Sequence, residues 1–417
     1  MSIQRDNGVL RCEQVELQSL AESYGTPLYV YSRAALQWGL RAWQDALSGL
    51  PHLICYAVKA NSNIAILQCL AKLGAGFDIV SGGELARVMM AGGDPKKVVF
   101  SGVGKTPAEL NDALDAGIRC FNVESASELT LLEGIAAEKK MTAPVSIRVN
   151  PNVDAQTHPY ISTGLKENKF GVDEATALEL YQQAHASDHL KPVGIDCHIG
   201  SQLTDISPYL EAVDHLLGIV DRLSEMGITL EHIDIGGGLG IQYQHEPETG
   251  PVALIELLEA RLDQRGLEVV VEPGRSIVGN AGVLLSEVVA LKHGEHKNFA
   301  IVDAGMNDLI RPSLYQGWHE ITSVVQRSGE PVTYDVVGPV CETGDFLGKD
   351  RDLSIEEGDV VAVMSAGAYG FVMASNYNSR PRAAELLIDG HDCHVVRRRE
   401  TIDTLVMDEA LLPDEML

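Results

Sequence analysis

From residue 52 onward the chain alternates short β-branched or apolar runs with longer stretches of helical period, which leaves few folds open to it. The runs are HLICYAVKA (52–60), GFDIVS (76–81), VVFSGV (98–103), CFNVES (120–125), VSIRVNP (145–151), VGIDCHIGS (193–201), HIDIGGG (232–238) and EVVVEPG (268–274). Between them lie helix-like segments such as NIAILQCLAKLG, GGELARVMMAGG and SPYLEAVDHLLGIVDRLSEMG. Strands alternating with helices build βα units around a parallel sheet. Eight of them predict an α/β chain whose strands close into a (β/α)8 TIM barrel, spanning 33–278, rather than an open sheet.

The polar residues sharpen this. Lys59, Asp78, Ser81, Ser101, Arg148, Asn150, His198, Ser201, Gly236 to Gly238, Glu272 and Arg275 all fall at the C-terminal end of a predicted strand or just beyond. Barrel enzymes place their active site at that face, on the βα loops. After about residue 279 the pattern changes to short strands with Gly, Asp and Pro turns: GVLLSEVVALKH, NFAIVDAG, TYDVVGPV, DVVAVMSAG, AELLID and CHVVRRR. This predicts a mainly β second domain, Greek-key or β-barrel-like, formed by 279–417 with 1–32, because TPLYVYS (26–32) also reads as a strand.

Composition narrows the partners. With 59 acidic against 32 basic side chains the net charge is −27. Nucleic acid and anionic membranes attract clustered Lys and Arg, so neither is an expected partner. No apolar stretch approaches the ~20 residues that span a bilayer. The start, MSIQRDNGVLRCEQ, lacks the apolar core of a secretory signal, so a cytoplasmic enzyme is expected. Seven dispersed cysteines (Cys12, Cys55, Cys69, Cys120, Cys197, Cys341, Cys393) form no CxxC pair and suggest no disulfide framework. No metal site is expected: His391, Cys393 and His394 sit on a strand-like run and alternate faces.

Lys59 ends the apolar run CYAVKAN. It reads either as a lysine snorkelling to the strand end or as an amine kept uncharged by desolvation and able to attack an aldehyde. GGGLG (236–240) and EPGRS (272–276) follow the seventh and eighth strands, where barrels commonly build a phosphate site. Glu272 beside a phosphate would repel it, so its role lies elsewhere; an acid facing a pyridine nitrogen keeps that nitrogen protonated. His198, in HIGS, offers a flat face. Lysine, phosphate loops, acid and imidazole together point to pyridoxal 5′-phosphate.

On YAVKAN, FDIVSGGEL, HIGS, GGGLG, EPGR, CETGD and GAYG the chain resembles the fold-III pyridoxal-phosphate decarboxylases. NPNVDAQTHPYISTG, KFGV and SNYNSRPR resemble its diaminopimelate decarboxylase branch, so the likeness runs over nearly the whole chain. The resemblance implies an alanine-racemase-like barrel with a C-terminal β domain, in a homodimer whose active sites lie at the subunit interface. It implies cofactor on Lys59, with His198 stacked on the ring and Glu272 at its nitrogen. Ser201, Gly238, Gly240, Pro273 and the Gly274–Arg275 backbone would hold the phosphate, with Tyr369 closing over it. Cys341 and Glu342 would come from the other subunit, Cys341 as the acid that protonates the carbanion.

Arg311 and Tyr315, in RPSLY, are four apart on one face of a short helix started by Pro312. With the resemblance, Arg275 and Arg311 would grip the distal carboxylate of a dicarboxylic substrate. Glu342 would take its distal ammonium. The implied reaction is decarboxylation of meso-2,6-diaminopimelate to L-lysine and CO2, the last step of lysine biosynthesis. Two alternatives stand: a decarboxylase of the same fold for ornithine, lysine or arginine, with Asp308 as the residue to question, and a catalytically silent relative that binds the cofactor. The long segment 151–171, carrying Asp154, His158, Tyr160, Lys166 and Lys169, is expected to be a lid.

Overall fold

The computed structural model describes residues 2–154, 163–164, 168–247, 249–262 and 265–416. The chain divides into two units, Ala35–Gly279 and Met1–Ala34 with Asn280–Leu417. It opens with β1 (Ile3–Asp6), β2 (Val9–Cys12), β3 (Val15–Glu16) and β4 (Leu28–Ser32). Next come β5 (His52–Ala57), β6 (Gly76–Ile79), β7 (Val98–Phe100), β8 (Cys120–Val123), β9 (Ala143–Arg148), β10 (Leu190–Asp196), β11 (His232–Asp234) and β12 (Glu268–Val271). The last set is β13 (Gly282–Lys292), β14 (Phe299–Val302), β15 (Ile321–Ser323), β16 (Val332–Val337), β17 (Phe346–Leu353), β18 (Val360–Val363), β19 (Ala384–Asp389) and β20 (Asp392–Arg397).

Strands β5 to β12 form the expected closed parallel barrel, with β12 pairing β5 to complete the ring. Each is apolar along nearly its whole length because both faces are covered, the inner by other strands and the outer by helices. Leu53, Cys55, Val99, Cys120, Val193 and Val270 pack together as one buried cluster. Five of the following helices start on a polar cap, Asn63, Ser81, Thr106, Ser125 and Asp173, whose side chain accepts a backbone N–H of the first turn. Those caps are where the sequence switches from strand to helix.

The strands end earlier than the apolar runs suggest. Lys59 sits in a single 3-10 turn (Val58–Ala60) after β5, and His198 and Glu272 lie beyond β10 and β12. The backbone leaves the ladder there: Ala57 N donates to the Pro273 carbonyl (3.1 Å), and Gly236 takes φ of 71°, out of extended conformation. Residues of the site therefore ride on loops held by the barrel rim.

The other unit is a sheet ordered β17-β16-β14-β13-β4-β19-β20, with β18 joining β13 to β15. β4 lies between β13, antiparallel, and β19, parallel. Alternation divides its side chains: Leu28 and Val30 join the buried cluster with Val283, Leu285, Leu386 and Ile388. Tyr29 and Tyr31 point the other way, Tyr29 Oη donating to the Asp308 carbonyl (2.7 Å) and Tyr31 Oη to Glu385 (2.7 Å). Strands β1–β3, β15 and β17 were not apparent in the sequence. β17 reads FLGKDRDL, with its charged middle exposed, and β1–β3 are too short to show a period.

Deep in the barrel the imidazole of His232 is enclosed, with its Nε2 3.9 Å from Cys120 Sγ. Burial, then the charge of Arg119, lowers its pKa to about 3, so the ring is neutral. A Cβ on Gly194 would stand 2.0 Å from that Nε2. Gly194→Ala is therefore expected to destabilise the barrel by about 1–3 kcal/mol through overpacking. Adding His232→Ala should return part of the loss, read as the thermal midpoint of the four variants of the cycle.

Candidate active site

At the C-terminal rim of the barrel, four acids crowd together. Asp78 is the next-to-last residue of β6, Asp196 and Asp234 end β10 and β11, and Glu272 follows β12; all are buried. Asp196, Asp234 and Glu272 each bring a carboxylate oxygen within 4.8 Å of the other two. Lys59 Nζ lies 2.5 Å from Asp78 Oδ2, with the lysine side chain 29% exposed and the aspartate fully buried. Lys59 is thus held by a carboxylate, and is not the isolated desolvated amine that its apolar strand suggested.

Arg148, at the end of β9, is the second cation. Its Nη1 donates to Glu124 Oε1 (3.0 Å) and its Nε lies 3.9 Å from Asp196 Oδ2. Burial opposes its charge, but Glu124, Asp196 and Glu272 outweigh that and raise its pKa. The acids respond in the other sense. Burial, then Asp78, Asp234 and Asp196, pushes the Glu272 carboxyl well above the usual range. Burial, then Asp234, does the same to Asp196, against the pull of Arg148. Asp234, which accepts the Gly236 N–H (2.9 Å), is raised from 3.8 to about 7 chiefly by burial. Glu272 Oε1 accepts from Ser101 Oγ (3.3 Å), which in turn accepts from Asn122 Nδ2 (3.2 Å).

His198 lies beyond β10, half-buried. Burial, then the charges of Arg148 and Lys59, holds its pKa well below 6.5, so it presents a neutral ring, and its Nδ1 has no hydrogen-bond partner among the described residues. The glycines beside it interlock loops: a Cβ on Gly236, Gly237 or Gly238 would meet the carbonyl oxygen of Cys197 (2.4 Å), Glu272 (2.0 Å) or Gly200 (2.2 Å). Gly240 N already donates to the Leu203 carbonyl (2.9 Å). Arg275, buried at the start of the turn Arg275–Val278, donates to Ser201 Oγ (2.9 Å) and Tyr243 Oη (2.7 Å). Sequence reasoning missed Tyr243, Asp196 and Asp234, which belong to no motif; only their place at or beyond strand ends could have marked them.

The second unit gathers the remaining predicted residues. Arg311 opens the helix Arg311–Tyr315 and is buried, while Tyr315 is half-buried. Ser313 Oγ, in that helix, donates to the Gly344 carbonyl (2.6 Å), which ties it to the loop carrying Cys341 and Glu342. Both of those side chains are exposed. Asn378 accepts the Cys341 N–H (2.7 Å) and Tyr377 Oη donates to Glu342 (3.4 Å). Tyr369 and Asn378 hold φ of 55° and 56°, a left-handed backbone that side chains adopt at a cost. Asp308, in question as a substrate acid, instead closes its own turn: its Oδ2 accepts the Gly305 N–H (3.0 Å). In the expected lid, His158, Tyr160 and Lys166 lie outside the described residues.

Comparison with known proteins agrees with this chemistry. The family model for the pyridoxal-binding domain of pyridoxal-dependent decarboxylases matches residues 33–279. The chain is 61% identical to a diaminopimelate decarboxylase of Pseudomonas aeruginosa, covering 97% of each. Among solved structures, the Helicobacter pylori diaminopimelate decarboxylase complexed with L-lysine superposes with a TM-score of 0.91 at 44% identity, over 96% of this chain and 100% of that one. The M. jannaschii diaminopimelate decarboxylase in co-complex with L-lysine gives 0.94 at 38% identity, over 100% and 99%. No helix among the described residues is long and apolar enough to cross a membrane.

The acid cluster has a measurable consequence. A carboxyl whose folded pKa lies above its ordinary value binds a proton on folding between the two, so its stabilising effect is complete at low pH and fades as pH rises through the folded value. For Asp234 that window runs from 3.8 to about 7. Cofactor-free protein should lose thermal stability across this window, and Asp234→Asn, which keeps an oxygen for Gly236, should flatten the slope. Parallel melting curves against pH for the two proteins check it.

Proposed function

The chain belongs to the pyridoxal-dependent decarboxylases, and from that premise we propose that it removes one carboxylate of meso-2,6-diaminopimelate, releasing L-lysine and CO2 as the closing step of lysine biosynthesis. The observation that carries the reading is the juxtaposition at the barrel rim of Lys59, the buried Glu272 and a neutral His198, beside the glycine loops and Arg275.

These residues fit pyridoxal 5′-phosphate. Asp78 Oδ1, Asp196 Oδ1 and Asp234 Oδ2 are buried without a partner among the described residues, and Glu272 stands among them, so a protonated ring nitrogen would relieve the crowding. Lys59 would hold the cofactor through Nζ, His198 would cover the ring and Glu272 would keep the proton on its nitrogen. Ser201, Gly238, Pro273, Gly274 and Arg275 would surround the phosphate, with Tyr369 alongside, and Gly240, whose N–H is given to the Leu203 carbonyl, would shape the loop and not donate to it. When bound, the cofactor supplies a ring that takes up the electron pair left as CO2 departs.

The rest is done by the chain. Arg275 and Arg311 grip the distal carboxylate, Glu342 the distal ammonium, and Tyr315 and Tyr369 border the substrate. Holding the far end at two points decides which bond at the reacting carbon is presented for cleavage. Cys341 then delivers a proton from Sγ to that carbon. We assign Cys341 and Glu342 to a second copy of the chain, making the active unit a homodimer with shared sites. The diamine alternative is weakened by Asp308, whose carboxylate is buried and bonded to its own loop. Seven free thiols accord with a reducing, cytoplasmic setting.

Purified protein supplied with pyridoxal phosphate should release CO2 and L-lysine from meso-diaminopimelate; absence of both sinks the assignment, and a diamine product from ornithine or lysine at a higher kcat/KM would replace it. Lys59→Ala and Cys341→Ala should each lose at least ~100-fold in kcat. Co-expressed, the two should recover roughly a quarter of wild-type activity, because half the dimers are mixed and each carries one intact shared site. No recovery would place the whole site in one chain.

A further inference from the structure

We propose that Tyr209 is a positioning residue for the cofactor: its hydroxyl turns the Gly237–Gly238 peptide so that the Gly238 N–H faces the phosphate. The inference rests on the phosphate reading of this loop given above.

The loop after β11 begins Gly236-Gly237-Gly238, and all three carbonyls are engaged. Glu272 N donates to the Gly236 carbonyl (2.9 Å) and Leu203 N to the Gly238 carbonyl (2.9 Å). The middle carbonyl, that of Gly237, accepts from a side chain instead, Tyr209 Oη (2.7 Å). Tyr209 lies in the first turn of the helix Ser207–Glu225 and is buried. Burial, then the nearby Cys197, pushes its phenol well above the usual range, so the proton stays on Oη and the group donates.

A trans peptide holds its C=O and its N–H on opposite sides of one plane. The Gly237–Gly238 bond is trans, so a carbonyl turned towards the helix sends the Gly238 N–H away from it. Gly236 N is already given to Asp234 Oδ1 (2.9 Å). Among the described residues no acceptor takes the N–H of Gly237 or of Gly238. Successive backbone N–H groups left open in this way make a cradle for an anion.

The glycines that allow this close packing also make the loop easy to disturb. A peptide flanked by glycine on both sides can rotate at little steric cost, so its direction has to be imposed from outside. Backbone bonds from Glu272 and Leu203 hold the carbonyls on either side, and Gly240 N returns to the Leu203 carbonyl (2.9 Å). Tyr209 holds the peptide between them. Removing its oxygen would leave the Gly237 carbonyl buried without a donor, which favours rotation of the peptide and a misdirected Gly238 N–H.

Ligand binding to the cofactor-free full chain tests this. Pyridoxal 5′-phosphate and pyridoxal carry the same ring and aldehyde, so only the phosphate separates them. Tyr209→Phe should raise Kd for pyridoxal 5′-phosphate on the order of tenfold, as for loss of one hydrogen bond to a charged group, and Kd for pyridoxal less than about threefold. A rise shared equally by the two ligands marks a merely structural tyrosine and overturns the proposal, as does no rise for the phosphate ester. If Tyr209→Phe fails to fold, Tyr209→Gln and Tyr209→Met, alike in length and differing in the amide donor, make the same comparison. Equal ratios of the two Kd values in that pair then overturn it. The wild-type protein separates the two levels: if it binds pyridoxal as tightly as pyridoxal 5′-phosphate, the phosphate reading itself falls. If it prefers the phosphate ester and Tyr209→Phe keeps the full preference, only the positioning role is lost.

Discussion

Burial of negative charge at the barrel rim is the constraint on which the site's architecture depends. A carboxylate taken out of water is costly unless paired or bonded, and here Asp78, Asp196, Asp234 and Glu272 are all buried. Each meets the cost differently. Asp78 takes Lys59, Asp196 lies by Arg148, Asp234 accepts a backbone N–H, and Glu272 accepts from Ser101. Glu124 extends the arrangement outward: it accepts from Arg148, from Gly102 N (2.8 Å) and from Gly171 N (3.0 Å), tying together the loops after β7, β8 and β9. The electrostatics that prepare the site are also what hold its loops.

The other unit uses the same device in miniature. Asp345 accepts the N–H of Met306 (2.6 Å) and of Val340 (2.7 Å), so one carboxylate clamps the segment leading to Arg311 onto the loop leading to Cys341. Burial raises its pKa, and the backbone donors and Arg380 resist that rise. From below, Tyr29 of β4 holds the Asp308 carbonyl three residues before Arg311. Residues 279 positions apart in sequence thus meet because β4 runs through the middle of the sheet.

How much of this could be read from the chain depends on whether a residue's role is local. Strand and helix period is local, so the eight barrel strands and their order were legible. Lys59, His198, Glu272 and Arg275 stood out because each lies just beyond a strand in a recognisable motif. Asp196 and Asp234 did not, since an aspartate after an isoleucine is unremarkable until the ring closes and brings the two strand ends side by side. Tyr243 escaped for the same reason, since the arginine it accepts from lies 32 residues further along the chain. The sequence marks Lys59 at the end of an apolar run but not its contact with Asp78, which the neighbouring strand supplies.

The buried arginines then divide by the chemistry of what they touch. Arg148 lies among carboxylates and its charge is consumed in holding the rim together. Arg275 donates to two hydroxyls, and Arg311 to an imidazole. Hydroxyls and imidazoles restrict where a guanidinium can point through hydrogen bonds to neutral groups, whereas a carboxylate also meets its charge. That distinction matters in a chain whose net charge is −27, where acids available to pair with any cation are abundant. In such a chain the two kinds of contact do different work: an ion pair such as Arg148 with Glu124 ties loops together, while hydrogen bonds to neutral groups set the direction of a guanidinium.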